Sequence, residues 1–72
     1  MKLSPKEKDV LTLVALGYSD KEIGVQLKIS YATVRTYVDR SVLKLQARNR
    51  TGAAVIFALK YKTHLAFKDL SK

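Results

Sequence analysis

A group of basic side chains falls between residues 35 and 50, and their chemistry is that of anion binding. They are Arg35, Arg40, Lys44, Arg48 and Arg50. Asp39 is the one acid within the same stretch. Guanidinium groups form paired hydrogen bonds to phosphate oxygens and to the edge of guanine, and ammonium groups bind phosphate as point charges. The stretch therefore predicts a surface that binds a polyanion.

The charge of the whole chain agrees with this interpretation. Fourteen Lys and Arg residues stand against six acids, which gives a net charge of +8 on 72 residues. Such an excess attracts polyanions and accelerates encounter with them, and it exceeds what solubility requires. A solvated basic surface without a ligand is the alternative, and the charge alone favours nucleic acid over it.

Catalytic and metal-binding chemistry is not indicated. The chain has no cysteine, and His64 alone does not make a metal site. No glycine-rich phosphate loop is present, and most of the acids fall in helix caps or on helix surfaces. We therefore expect a protein that is not an enzyme and that uses no cofactor, metal or small-molecule ligand.

The chain also lacks an apolar run long enough to span a membrane, and its charged N-terminal stretch does not resemble a signal peptide. We expect a cytoplasmic, nucleoid-associated protein. Binding to a membrane surface through a basic amphipathic helix is disfavoured, because the positive charge concentrates away from the apolar terminal segment.

Helix-start signals divide the chain into four helices. Ser4 followed by Pro5 and Glu7 predicts the first N-terminus, and Gly17 predicts the end of that helix. Ser19 with Glu22 predicts a short second helix that ends near residue 28. Ser30 caps a third helix over 31–46, and Thr51 is expected to cap a fourth that continues toward residue 70. The sequence predicts one all-α, tetrahelical domain spanning 1–72.

Residues 20–39 combine a short helix, a turn of about three residues and a second, basic helix. This is the arrangement of a helix-turn-helix, whose second helix enters the major groove of DNA. The residue of the first helix that faces its partner must be small, and Gly24 meets that requirement. The third helix is therefore the expected recognition helix.

The chain resembles the DNA-binding domain of the LuxR/GerE family of bacterial transcription regulators. The resemblance covers roughly residues 3–60, through LSPKEKDVLTLVALGYSDKEI, then IS followed by TVRTYV, and then KLQARNRT. It implies a four-helix fold with a DNA-reading third helix and a dimer-forming fourth helix. Because the chain is short and starts with Met1, it resembles the stand-alone, GerE-like members, for which no preceding domain is expected.

The resemblance also implies which residues face base edges. Positions 35, 36 and 39 are occupied by Arg35, Thr36 and Asp39, and Arg40 is expected to share the groove contact. Arg35 suits guanine and the Thr36 methyl suits thymine. Asp39 stands where the family often has a basic or small polar residue. It either accepts from a cytosine amino group or pairs with Arg35 one turn earlier.

Phosphate contacts are expected from hydroxyl and basic groups around the helix-turn-helix. The candidates are Ser19, Lys21, Lys28, Ser30, Thr33, Tyr37, Lys44 and Arg48. For Ser19 and Ser30 a capping role is at least as well supported, and both roles can coexist. Arg50 either meets DNA or caps the carboxyl end of a helix.

Two positions in the turn depart from the family pattern. The family usually has alanine at 24 and glycine at 28, where this chain has Gly24 and Lys28. Glycine within a helix costs about 1 kcal/mol relative to alanine. Lys28 must tolerate a left-handed or strained turn, at about 1 kcal/mol. We expect a phosphate contact by Lys28 to offset that cost.

The segment 51–70 has more apolar surface than a single small domain should expose. Its candidate dimer residues are Val55, Ile56, Ala58, Leu59, Tyr61, Lys62 and Leu65. One side is expected to pack on the first helix, and a two-fold dimer on a palindromic site would cover the other. The alternative is that both sides complete a small core.

Double-stranded DNA and a second copy of the chain are therefore the expected partners, with RNA polymerase or another regulator as further possibilities. The rival interpretation is a small helix-turn-helix protein that acts by binding another regulator or the transcription machinery, with weak or no specific DNA binding. Salt-dependent binding to duplex DNA distinguishes the two, because phosphate contacts release counterions.

Overall fold

The computed structural model describes residues 2–60, and this portion is all-α as predicted. Its helices are α1 (Pro5–Ala15), α2 (Asp20–Leu27), α3 (Tyr31–Leu45) and α4 (Arg50–Lys60). The expected continuation of the last helix toward residue 70 lies outside the described residues. So do three of the candidate dimer residues, Tyr61, Lys62 and Leu65.

The first three helices begin at the serines that the sequence indicated. The Oγ of Ser4 accepts the Glu7 N–H at 3.2 Å, and the Glu7 carboxylate accepts the Ser4 N–H at 2.8 Å. Ser19 and Glu22 repeat this capping box at the same distances. Ser30 accepts the N–H at position 33 at 3.0 Å. Local hydrogen bonding thus fixes where these helices start.

The prediction for the start of α4 was wrong, because Asn49 is the cap and Thr51 lies inside the helix. The Asn49 side-chain oxygen accepts the Gly52 N–H at 2.8 Å, and its carbonyl accepts the Ala53 N–H at 2.9 Å. Asparagine is a stronger N-cap than threonine, so the helix starts at the earlier of the two available caps.

The helices α1, α2 and α3 end in the same way, each with a residue of positive φ. These residues are Gly17, Lys28 and Gln46, with φ of 95°, 59° and 55°. In each case the N–H of the next residue bonds back five positions, as Ile29 does to the Gly24 carbonyl at 3.0 Å. This Schellman arrangement satisfies carbonyls that the helix leaves open. The left-handed conformation expected of Lys28 is therefore present.

Helix α1 joins two core clusters and contacts all three other helices. Leu11 packs with Leu3 and the α4 residues Ala53 and Phe57. On the other cluster, Val10 packs with one residue of α2 and two of α3, namely Ile23, Val34 and Val38. The adjacent positions Val10 and Leu11 are both fully buried. One helix thus holds the helix-turn-helix on one side and α4 on the other.

Helix α4 packs on α1 through small residues and one aromatic side chain. Ala53, Ala54 and Phe57 are buried, whereas Val55 and Leu59 are 52% and 65% exposed. The small alanines allow α4 to approach α1 closely, and the large Phe57 side chain fills the space beside them. The apolar residues from 55 to 59 therefore do not form one inward face.

Candidate nucleic-acid interface

The four candidate base-reading residues lie together on the exposed side of α3. Arg35, Thr36, Asp39 and Arg40 are all exposed, while Val34 and Val38 on the other side of the helix are buried. The spacing of one helical turn between the two pairs brings them onto one face. Thr36 donates its hydroxyl to the Ala32 carbonyl at 3.1 Å. Its methyl is then the group available for an apolar contact with thymine.

The expected alternative for Asp39, a salt bridge to Arg35, is not formed between these two described residues. The Arg35 guanidinium instead donates to the Tyr31 hydroxyl at 3.4 Å and lies 6.0 Å from the centre of that ring. The hydroxyl contact is the main cause, ahead of the charge of Asp39, that raises the pKa of Arg35 above its usual value. Guanidinium groups are not deprotonated in proteins, so Arg35 presents a permanent positive charge on this face.

The first turn of α3 and the first turn of α2 lie side by side around an open hollow. Ser19, Lys21 and Tyr31 line it, together with an ion pair between Asp20 and Arg50. The Arg50 guanidinium lies 2.7 Å from the Asp20 carboxylate oxygen. Because Arg50 is the first residue of α4 and pairs at the start of α2, the expectation that it caps a carboxyl end was wrong.

Among the candidate phosphate ligands, the serines have local partners. Ser19 and Ser30 act as caps, and the hydroxyls of Ser30 and Thr33 lie 2.8 Å apart. The side chains of Lys21, Lys28 and Arg48 are exposed. Tyr37 is half-buried against the cluster that holds the helix-turn-helix together. Capping does not exclude a phosphate contact, because the first turn of a helix carries more N–H groups than one cap satisfies and these favour an anion.

Lys44 was expected to contact phosphate, but its side chain forms an ion pair within the protein. Its Nζ lies 2.8 Å from the Glu7 carboxylate, and its side chain is 24% exposed. Glu7 is 1% exposed. Burial opposes ionisation of Glu7, but hydrogen bonds from Lys44 and from the Ser4 amide outweigh it and lower the pKa of the carboxyl. The ammonium group thus satisfies a buried carboxylate and ties α3 to α1.

Exposed apolar side chains remain on α4. Val55 and Ala58 line a shallow groove against α1, with Thr51, Ala54, Val14 and Ala15 completing it. Ile56 is half-buried, and Leu59 is exposed. The described part of the candidate dimer surface therefore consists of the exposed Val55 and Leu59 and the half-buried Ile56 and Ala58.

Sequence reasoning missed four residues of consequence. Glu7 was recognised only as half of a capping box, although its burial and its partner on α3 matter more. Ser41, fully buried with its hydroxyl bonded to the Tyr37 carbonyl at 2.7 Å, was passed over as a polar position. Phe57 was not assigned to the core. Tyr31 was given no functional role, although it is 51% exposed at the first turn of α3. A tyrosine one turn before an arginine was the available signal for that last contact.

No helix within residues 2–60 is long and apolar enough to cross a membrane. No group of three or more His, Asp or Glu side chains is arranged in that portion to hold a metal ion.

A short α2, a tight turn and an exposed basic face on α3, all supported by α1, define the class of helix-turn-helix proteins. Comparison with known families assigns the chain to one family within this class. The family described as bacterial regulatory proteins, luxR family, matches residues 1–57. The chain therefore belongs to the luxR family, whose members are DNA-binding transcription regulators and not enzymes.

Individual relatives agree with the family assignment. The transcriptional regulatory protein YhcZ of Bacillus subtilis is 51% identical over 82% of this chain, and the response regulator VraR of Staphylococcus aureus is 39% identical over the same share. The chain spans only 27% and 28% of the lengths of these two curated relatives. The solved structure of the transcription factor GerE superposes with a TM-score of 0.73 at 34% identity, covering 81% of this chain and 85% of the other.

Proposed function

We propose that this chain is a sequence-specific DNA-binding module that regulates transcription by placing α3 in the major groove, as a homodimer on a two-fold symmetric site. The observation that carries the proposal is the exposed face of α3. It presents a cation, a carboxylate and an apolar methyl group on consecutive turns, while its opposite side is buried in the core. Arg35, Thr36, Asp39 and Arg40 are the residues to which we assign base contacts.

Phosphate anchoring is assigned to residues around the helix-turn-helix. The N-termini of α2 and α3 supply backbone amides beside Ser19, Ser30 and Thr33. Lys21, Lys28 and Arg48 add exposed positive charge, and the Tyr37 hydroxyl completes the set. Lys44 is left out because its ammonium group is paired with Glu7.

Dimerisation is assigned to α4. Its exposed Val55 and Leu59 and the groove beside Ala58 are apolar surface that a second copy would cover. Ile56, Tyr61, Lys62 and Leu65 extend the proposed interface. Two recognition helices related by a two-fold axis then meet two half-sites one helical turn of DNA, or a multiple of it, apart.

Selection of bound sequences from a random duplex pool, at two salt concentrations, tests the base contacts. We expect the wild-type chain to enrich a two-fold symmetric motif containing guanine. Arg35→Ala should relax that guanine preference, since a paired arginine–guanine contact discriminates by about 1–3 kcal/mol. Lys6→Ala is the matched control, because it removes one exposed positive charge from α1 and should leave the motif unchanged.

An unenriched pool, with binding that falls equally for all duplexes as salt rises, would contradict sequence-specific binding and leave a non-specific electrostatic binder. The rival role of binding another regulator would then be favoured. If Lys6→Ala relaxed the guanine preference as much as Arg35→Ala, the effect would be one of total charge and not of base contact.

Sedimentation of the chain bound to the enriched duplex tests the dimer. Val55→Asp should convert a complex of two chains per duplex to one, because it introduces a charge into the proposed apolar interface. Val25→Asp is the control, since Val25 is 79% exposed on α2, away from α4. Two chains per duplex in both variants would exclude Val55 from the interface.

A further inference from the structure

Tyr31 has no part in the function proposed above, although it is a large side chain at the start of the reading face. It is the first residue of α3 and is 51% exposed. It also borders the hollow that contains Ser19 and Lys21 at the start of α2. An aromatic ring left half in water at this place needs an explanation other than core packing.

The contacts of Tyr31 are made with Arg35, one helical turn later. The Arg35 guanidinium donates to the Tyr31 hydroxyl at 3.4 Å, a long hydrogen bond. The central guanidinium carbon lies 6.0 Å from the ring centre, at the outer limit of an attraction between a cation and an aromatic face. Two weak contacts of different kinds therefore act on the same group.

A second partner was available to Arg35 on its other side. Asp39 is one turn further along α3 and carries the opposite charge, yet the guanidinium lies with Tyr31 and forms no salt bridge with Asp39. Side chains on a helix point back toward its N-terminus, which favours the residue four positions earlier. The result leaves the Asp39 carboxylate free of Arg35 and keeps both groups available to bases.

We propose that Tyr31 is a positioning residue for base recognition, which holds the Arg35 guanidinium for its contact with guanine and keeps it from pairing with Asp39. The inference rests on the proposed function, since it concerns the same reading face. Arginine has a long side chain whose rotamers must be restricted when it forms two parallel hydrogen bonds to a base. Ordering it before DNA arrives lowers that cost and increases affinity for the guanine-containing site only.

Affinities for the enriched duplex and for a shuffled duplex of the same composition test the proposal. We expect Tyr31→Phe, which keeps the ring, to weaken binding to the enriched duplex by about twofold. Tyr31→Leu, which removes both contacts, should weaken it by about fivefold. Binding to the shuffled duplex and the melting temperature should not change. Tyr18→Phe removes a hydroxyl from the turn between α1 and α2 and should have no effect.

A double-mutant cycle separates positioning from direct contact. In an Arg35→Ala background, Tyr31→Leu should produce no further loss for the enriched duplex. A persisting fivefold loss would mean that Tyr31 touches DNA itself, and it would overturn the inference. Equal losses for the enriched and the shuffled duplex would do the same.

Failure of the inference and failure of the proposed function give different results. If Arg35→Ala keeps the guanine preference, the assigned role of Arg35 is wrong and the inference falls with it. If Arg35→Ala loses the preference and Tyr31→Leu retains full affinity, the inference alone is wrong.

A measurement without DNA provides an independent test. The heteronuclear relaxation of the Arg35 side-chain Nε should report a more mobile guanidinium in Tyr31→Leu than in the wild-type chain, with Tyr31→Phe between them. Equal mobility in all three chains would show that Tyr31 does not restrict Arg35.

Discussion

Both halves of α3 carry a basic side chain, but the contacts of the two side chains differ. In the first half, Arg35 is exposed and donates a hydrogen bond to the Tyr31 hydroxyl on its own helix. In the second half, Lys44 crosses to α1 and pairs with the buried Glu7 at 2.8 Å. The first half leaves its charge available to a ligand, whereas the second half uses its charge to hold the helix in place.

This difference means that counting basic residues along a recognition helix overestimates its DNA-facing charge. A lysine stem can lie along apolar surface and reach a carboxylate on a neighbouring helix. That carboxylate is near because α1 packs against α3 and buries Glu7, which the capping box holds at the first turn of α1. The two halves of α3 should therefore respond to mutation in different ways, one in base recognition and the other in folding stability.

The largest expected effect is on folding stability at the second half. Glu7→Gln should lower the free energy of unfolding by about 2 kcal/mol, because it leaves Lys44 without its buried partner. Lys44 retains partial solvent exposure, which keeps the loss below that of a fully buried pair. Urea unfolding followed by circular dichroism measures the change.

Glu22→Gln is the matched control, since Glu22 occupies the equivalent place in the capping box of α2 but is exposed. A glutamine can still accept the cap hydrogen bond, so we expect a loss below about 0.5 kcal/mol. Equal losses in the two variants would attribute the effect to capping and not to the pair with Lys44.

The same pair predicts a dependence of stability on acid pH. The pKa of Glu7 is lowered from its ordinary value of 4.5, so ionised Glu7 stabilises the folded chain above that pH. The contribution is lost as the pH falls below 4.5 and through the lower, folded-state value. The difference in stability between the wild-type chain and Glu7→Gln should therefore shrink with acid. A constant difference would contradict the assignment.

A smaller effect on folding stability is expected at the turn that joins α2 to α3. A Cβ at position 24 would lie 2.8 Å from the Ile29 carbonyl oxygen, which is backbone. Gly24→Ala should therefore destabilise the chain by about 1–2 kcal/mol despite the better helix propensity of alanine. Gly52→Ala is the control, since a Cβ at position 52 would lie 3.4 Å from its nearest neighbour, a side-chain oxygen. Thermal unfolding compares the stabilities of the two variants. A stabilised Gly24→Ala would mean that the turn adjusts freely.

The smallest effect is expected at Lys28, which ends α2 with φ of 59°. Lys28→Gly should raise stability by about 0.5–1 kcal/mol, because glycine adopts this conformation without a steric cost. If Lys28 contacts a phosphate, the same variant should bind DNA more weakly, and the dependence of log affinity on log salt should be shallower by about one unit. Unchanged binding with raised stability would remove the phosphate role.

Local signals in the sequence predicted much of the fold. Serine caps and capping boxes placed the starts of α1, α2 and α3, because their hydrogen bonds join residues three positions apart. Gly17 marked the end of α1, because glycine adopts the positive φ of a helix C-terminus without a steric cost. The start of α4 was misplaced because Asn49 and Thr51 are both competent caps, and local preference alone did not decide between them.

The exposed residues of the recognition face were also predictable, since one helical turn separates Arg35 from Asp39 on the exposed side and Val34 from Val38 on the buried side. The hydrogen-bond and ion-pair partners of these residues were not predictable from the sequence. The salt bridge considered for Arg35 and Asp39 has the right spacing, but Tyr31 at the preceding turn holds the guanidinium instead. Tyr31 and Asp39 both lie four residues from Arg35, and only the direction in which side chains leave a helix decides which of them Arg35 contacts.

The sequence by itself determined the four helices, the caps of α1, α2 and α3, the basic recognition face and membership of a DNA-binding family, since these follow from neighbours along the chain. The tertiary structure decided which charges remain for a ligand. Lys44 pairs with Glu7 and Arg50 with Asp20, and each pair joins residues far apart in sequence. Ion pairs depend on distances of a few ångströms in space, and those distances are set only when α1 and α4 pack against the helix-turn-helix.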